Sequence, residues 1–159
     1  MKLTRIAAFT LALGSTAFAQ GLPSMKVITV DLAESMAQAA MAKCRADGYK
    51  VTVMVVDHAN MMKALLRDDG AGMATIEVAR MKNNSVMSFG RPSGPPPNLA
   101  PGAPVPAPVV PGTINAMGGV PVKVGDTMIG SIAVSGAPGG DKDASCANAG
   151  LAKVADKLR

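Results

Sequence analysis

This sequence is short of the residues on which most recognition and catalysis depend. It has no tryptophan, one tyrosine and three phenylalanines, two of them (Phe9 and Phe18) within the first 19 residues. Base-stacking platforms are therefore missing, and the 16 basic residues are spread along the chain instead of gathered in a patch, which excludes nucleic-acid binding. His58 is the only histidine, and no G-x-S-x-G elbow surrounds Ser131 or Ser135. A hydrolytic triad would have to draw on a histidine in a turn, so hydrolase chemistry has little to work with. After the first residues no apolar run approaches the roughly 18 residues of a transmembrane helix, so no membrane span is expected.

What is abundant is methionine, 12 residues, with 17 glycines and 12 prolines. Methionine is flexible and polarizable, so the plain expectation is a core in which it fills the gaps that aromatics leave. The N-terminus carries Lys2 and Arg5, a short apolar core at Ile6–Leu13 and the small-x-small sequence Ala17-Phe18-Ala19. This pattern predicts a Sec signal peptide over residues 1–19, a mature start at Gln20 and a periplasmic or secreted protein. Setting aside Lys2 and Arg5 leaves 14 basic against 11 acidic residues, a nearly balanced single domain over residues 20–159.

In chain order, Asp31 with Glu34 reads as a capping box opening a helix over about 31–47, with Leu32, Met36, Ala40 and Cys44 on one face and Gly48 ending it. Val51–Val56 is β-branched and continuously apolar, a central strand; Asp57–Asn60 is a turn with Asn60 left-handed, and Met61–Leu66 returns as a second strand. Met73–Met87 is a helix with Ile76, Val78, Ala79 and Met87 as core candidates, and Asn83-Asn84-Ser85 predicts a break or bend in its second half. Residues 91–111 hold nine of the prolines and read as an extended loop inserted within the domain.

Val120–Val124, the Gly125-Asp126 turn and Thr127–Ser135 form a second hairpin, with Pro121 suiting an edge strand and Gly130 a bulge or close backbone approach. A last helix over about 141–158 shows the stripe Ala147, Leu151, Val154 and Leu158. Hairpins alternating with helices predict an α+β domain built on an antiparallel sheet.

Three features bear on chemistry. Gly136–Gly140 resembles a phosphate cradle, but Asp141 and Asp143 stand where glycine and a hydroxyl are needed, so these carboxylates are expected to cap their own helix. His58, Met61 and Met62 form an H-x-x-M-M cluster able to ligate a soft metal or haem iron, against the plain alternative of an exposed turn histidine and one core methionine. Cys44 and Cys146 lie on the first and last helices; they are either bridged or two buried thiols, and spacing alone does not decide.

Four stretches then stand in a familiar order: Gly48-Tyr49-Lys50-Val51-x-Val53-x-Val55-Val56-Asp57; Leu66-Arg67-x-Asp69-Gly70-Ala71; Gly118-Gly119-Val120-Pro121; and Ile129-Gly130-Ser131-Ile132-Ala133-Val134-Ser135-Gly136 with Asp143 beyond. Together they span nearly all of residues 31–158 and resemble the GlcG/HbpS family, the haem-degrading or PduO C-terminal-like family. The resemblance implies a profilin-like α+β fold, an antiparallel sheet of about five strands flanked by helices, and homo-oligomers in which dimers build toward octamers. It also implies haem as cofactor in HbpS-type members, which are exported and tied to haem and iron sensing. No iron ligand carries over from the resemblance by match; the haem or ligand candidates in this chain are His58, Met61 and Met62 of the H-x-x-M-M cluster, with Arg67, Lys82, Ser135 and Gly136.

The chain departs from the family pattern at Asn60, where glycine is usual, at Ala74, where many members carry histidine, and at Lys82–Val86. The alternative function is a non-catalytic oligomeric accessory protein that binds another small ligand near Ser135–Gly136 and the second helix.

Overall fold

Thr29, not Asp31, caps the first helix. The structure, a computed structural model, describes residue 21 and residues 24–159; the expected leader over residues 1–19 lies outside the described residues. The Thr29 hydroxyl, on extended backbone, accepts the Leu32 N–H at 3.2 Å, and α1 runs Val30–Ala46. Asp31 is already helical, so its charge favours the N-terminal end of the dipole without serving as the cap. The helix ends as expected at Gly48, whose φ of +83° lets the Gly48 and Tyr49 N–H groups reach back to the Arg45 and Cys44 carbonyls.

The remaining elements are β1 (Thr52–Asp57), β2 (Met62–Arg67), α2 (Thr75–Phe89), β3 (Gly119–Val124), β4 (Thr127–Ser135) and α3 (Gly140–Lys153), followed by a 3-10 turn, Ala155–Lys157. Two hairpins join through β1 and β4 into one antiparallel sheet ordered β2-β1-β4-β3. The described residues thus form four strands, one fewer than the resemblance implied. The segment before α1 joins no ladder, although it plants Ile28, fully buried, in the core. Pro121 falls on edge strand β3, where its missing N–H costs no ladder bond.

Alternation sorts the two faces. Val53, Val55, Ile132 and Val134 join Met36, Ala40, Cys44, Cys146 and Ala147 in the larger core, so α1 and α3 cover one face. Met54, Val56 and Ala133 pack on Ala79 of α2 across the other. With both terminal helices on one face, Cys44 and Cys146 come within 5.6 Å at Cα and are disulfide-bonded.

Three expectations are corrected. Helix α2 continues unbroken to Phe89 because Asn83 and Ser85, polar in sequence, face inward to partners: Asn83 Nδ2 donates to the Met54 carbonyl at 3.2 Å and its Oδ1 accepts the Ser131 hydroxyl at 2.7 Å. The last α-helix stops at Lys153, where the chain tightens into the 3-10 turn. The methionines do not chiefly fill the core. Met36, Met41 and Met54 are buried, but Met25, Met61, Met62, Met73 and Met117 are exposed. Small residues at the α1–α3 contact explain this: Gly150 lets the helices approach so closely that a Cβ there would lie 2.6 Å from the Met36 carbonyl oxygen, leaving little volume for long side chains.

The proline-rich loop has no helix or strand, as expected, and is tied down at its ends. Ser93 Oγ accepts the Gly119 N–H at 2.8 Å, Asn84 donates to the Gly112 carbonyl at 2.9 Å, and Ser85 Oγ accepts the Ile114 N–H at 2.8 Å.

Candidate functional site

The seven candidate residues do not form one site. His58, Met61 and Met62 lie at the β1–β2 hairpin tip, whereas Arg67, Ser135 and Gly136 lie at the opposite end of the sheet, where Thr52 pairs with both Arg67 and Ser135. The length of β1 separates them, about 17 Å for five steps of strand. Lys82 belongs with the second group through its contact with the Val134 carbonyl.

At the tip, Asp57 organises the backbone. Its Oδ1 accepts the Ala59 and Met61 N–H groups at 3.0 Å each, its own N–H donates to the Met61 carbonyl at 2.9 Å, and Asn60 turns the chain at φ +59°. Burial acts to raise the Asp57 carboxyl, but the two backbone donors and the nearby Lys63 charge hold it below its ordinary value. Asn60 is further fixed to α2 by its amide, which donates to Asn84 Oδ1 at 2.8 Å. His58, Met61 and Met62 project from this frame exposed, the two methionines by 64% and 58%. The expectation of one core methionine is therefore overturned. The bulge that sets Val56 opposite Met62 lies on edge strand β2.

The second group is built around a buried ion pair that the sequence did not lead us to expect, since Lys82 stood there as a ligand candidate and Asp143 as a helix cap. Lys82 falls on the inward stripe of α2 with Thr75, Ala79 and Val86, and its Nζ donates to Asp143 Oδ2 at 2.7 Å and to the Val134 carbonyl at 2.9 Å. Asp143 Oδ1 accepts the Ala137 N–H at 3.0 Å, so this carboxylate anchors the glycine turn instead of capping α3, whose N-cap is Gly139 with no side-chain bond. Asp141 pairs with Lys142 at 3.3 Å. Burial pushes the Asp143 carboxyl up against the pull of Lys82. A lysine on an apolar helical stripe was the legible signal that an acid must face it; which acid was not legible.

Space around this pair is filled. A Cβ at Gly118 would stand 2.7 Å from Lys82 Nζ, Asp143 Cβ and the Val134 carbonyl, and one at Gly136 would stand 2.5 Å from the Lys50 carbonyl. Ser135 is buried, and Thr52 beside it shares a 2.7 Å hydrogen bond with Thr75. The guanidinium of Arg67 donates to the Ala71 carbonyl, next to a groove of about 520 Å³ between α1 and β2 lined by Gln38, Met41, Ala42, Arg45, Leu66 and Arg67. Arg45 bonds Asp68 through Nε at 3.1 Å and Nη2 at 2.8 Å and holds that buried carboxyl below its ordinary value. Among the described residues no cluster of three His, Cys, Asp or Glu could hold a metal ion.

A model of the HbpS-like haem-degrading proteins matches residues 28–152. The chain belongs to the HbpS-like family. It is 32% identical to a crystal structure of HbpS, covering 86% of this chain and 96% of that one, with a TM-score of 0.72. A doubly substituted HbpS from Streptomyces reticuli is 28% identical over 90% of this chain and 97% of its own, with a TM-score of 0.71. The haem complex of PduOC shares the HbpS-like fold at 18% identity, a TM-score of 0.69, and 80% and 95% coverage. Comparison with curated proteins gives no match. As in these relatives the fold is α+β, here an antiparallel sheet of four strands flanked by three helices. No helix of the described residues is long and apolar enough to cross a membrane, and the disulfide fits an oxidising, extracytoplasmic setting.

Proposed function

We propose that this HbpS-like protein binds haem outside the cytoplasm, in the periplasm or as a secreted protein after cleavage of residues 1–19. One observation carries the reading: the chain's only imidazole stands exposed on a tip whose backbone is held by Asp57, with two exposed thioethers beside it. Imidazole and thioether are donors that hold haem iron, so the residues present fit the group. His58 is the proposed iron ligand, with Met61 and Met62 as its neighbours. Membership of the HbpS-like family and the likeness to a fold solved with haem support the reading.

Arg67, Lys82, Ser135 and Gly136, about 17 Å away along β1, belong to the alternative accessory role, which has no observation of equal weight because the space around Gly118 and Gly136 is filled. A homo-oligomer is proposed alongside, through the open edges of β2 and β3, and light scattering on a sizing column tests it.

Haem titrated into purified protein is expected to give a Soret band that saturates at one equivalent, and His58→Ala is expected to abolish or shift that band. No saturable band, or a spectrum unchanged in His58→Ala, removes haem binding or the ligand assignment respectively.

A further inference from the structure

The methionine distribution points to a second chemistry at the hairpin tip. Core packing accounts for Met36, Met41 and Met54, each at most 4% exposed, and cannot account for Met61 and Met62. Burying a methionine side chain contributes about 1.5–3 kcal/mol, so two adjacent exposed methionines where the hairpin tip enters edge strand β2 forgo that gain. The tip holds its shape without them. The bonds that fix it run between Asp57, Ala59, Asn60, Met61 and Asn84, and none uses the His58 ring or either thioether.

We infer that the β1–β2 tip is a binding site for a soft monovalent cation, Cu(I) or its redox-inert analogue Ag(I), held by the His58 imidazole and the Met61 and Met62 sulfurs. Thioether and imidazole together select soft d10 ions over hard ones. The carboxylate of the tip is already engaged: Asp57 Oδ1 accepts two backbone N–H groups, and Oδ2 faces Lys63 Nζ at 3.7 Å. Convergence is open to these donors. Asn60 folds residue 58 back toward residue 61, and β2 begins only at Met62, so the rule that successive strand residues face opposite ways does not govern Met61. The unbranched methionine side chain supplies the remaining reach.

The inference does not rest on haem binding, although the two would share His58. Ag(I) is titrated into haem-free protein carrying 13C-labelled methionine methyl groups, with chemical shifts as the readout. The expected result is that the Met61 and Met62 methyl signals move together and saturate at one equivalent, while Met73 and Met117 stay in place. His58→Ala is expected to weaken binding by about tenfold or more, since even indirect ligand partners cost 10–100-fold. Met61→Leu with Met62→Leu, a nearly volume-conserving pair at exposed positions, is expected to abolish binding with the circular dichroism spectrum unchanged. Shifts spread equally over all exposed methionines, no saturation at one equivalent, or full affinity in the double variant would overturn the site. Loss of the Soret band with Ag(I) binding intact removes only the haem reading.

Discussion

At the scale of single residues, position decides whether a small or charged group is replaceable. Gly130 sits where a Cβ would collide with the Val56 carbonyl oxygen and lie 2.6 Å from Ile28 Cδ1, because β4 bulges against β3 at that point while staying in regular register with β1. Gly130→Ala is expected to cost about 1–3 kcal/mol, seen as a lower urea midpoint with unchanged slope; an unchanged midpoint would mean the strands separate freely there. Asp57 and Asp68 are both held below the ordinary carboxyl value, Asp57 against its burial by two backbone donors together with nearby positive charge, and Asp68 first by its bond from Arg45.

With folded values below the unfolded value of about 3.9, these carboxyls supply stability that is complete above that pH and lost as pH falls through their folded values. Asp143, raised by burial, acts with the opposite sign and weakens folding as pH rises. Asp68→Asn is therefore expected to be less stable at pH 7 and to lose less on going to acid, a comparison that urea midpoints at the two pH values make directly. These residue-level facts were partly legible. Glycine inside a strand announced a close approach, and asparagine at position 60 announced the left-handed turn that it makes at φ +59°. That Asp57 would turn its carboxylate back onto its own loop was not announced, because many turn aspartates point to solvent.

At the scale of elements, the buried Lys82–Asp143 pair joins α2 to α3 across the end of the sheet, with side chains only 3% and 5% exposed. Removing one partner leaves an uncompensated buried charge, so Lys82→Met and Asp143→Leu are each expected to cost about 3–5 kcal/mol. The double variant is expected to be more stable than either single one, and urea unfolding of the four proteins measures the coupling. Additive losses would show that the two helices are held by other contacts. Helix and strand types were legible from periodicity, and so was the order of elements. The persistence of α2 through Asn83-Asn84-Ser85 was not. Propensity disfavours that run, but Asn83 and Ser85 exchange hydrogen bonds with Met54, Ser131 and Ile114, which lie far away in sequence. The same reason hid the cap of α1: aspartate is the stronger cap by residue type, and only the backbone shows that Thr29 is still extended while Asp31 is already helical.

For the molecule as a whole, the Cys44–Cys146 bond clips the first helix to the last across 102 residues of chain. A loop of that length implies stabilisation of about 4–5 kcal/mol in the chain-entropy model. Reduction, or the double change Cys44→Ala and Cys146→Ala, is expected to lower the melting temperature measured by calorimetry, and an unchanged value would mean the helix pair is sufficient without the bond. The candidate site is likewise a whole-molecule result. The seven candidate residues separate into two groups at opposite ends of the sheet, and the tip group alone presents exposed side-chain lone pairs that no hydrogen bond engages; Arg67 is exposed as well, but its guanidinium donates to the Ala71 carbonyl.

What the sequence by itself determined is local: alternation and helical spacing, the glycine and asparagine turns, and the motif order that marks the HbpS-like family. These are legible because neighbours along the chain set backbone conformation and which face is apolar. The tertiary structure alone decided what depends on residues distant in the chain. It placed both cysteines on one sheet face, set Asp143 opposite Lys82, filled the space around Gly118 and Gly136, and left Met61 and Met62 on an uncovered edge. Such pairings follow from how helices cover a sheet, and packing over long sequence separations is not written in any one segment.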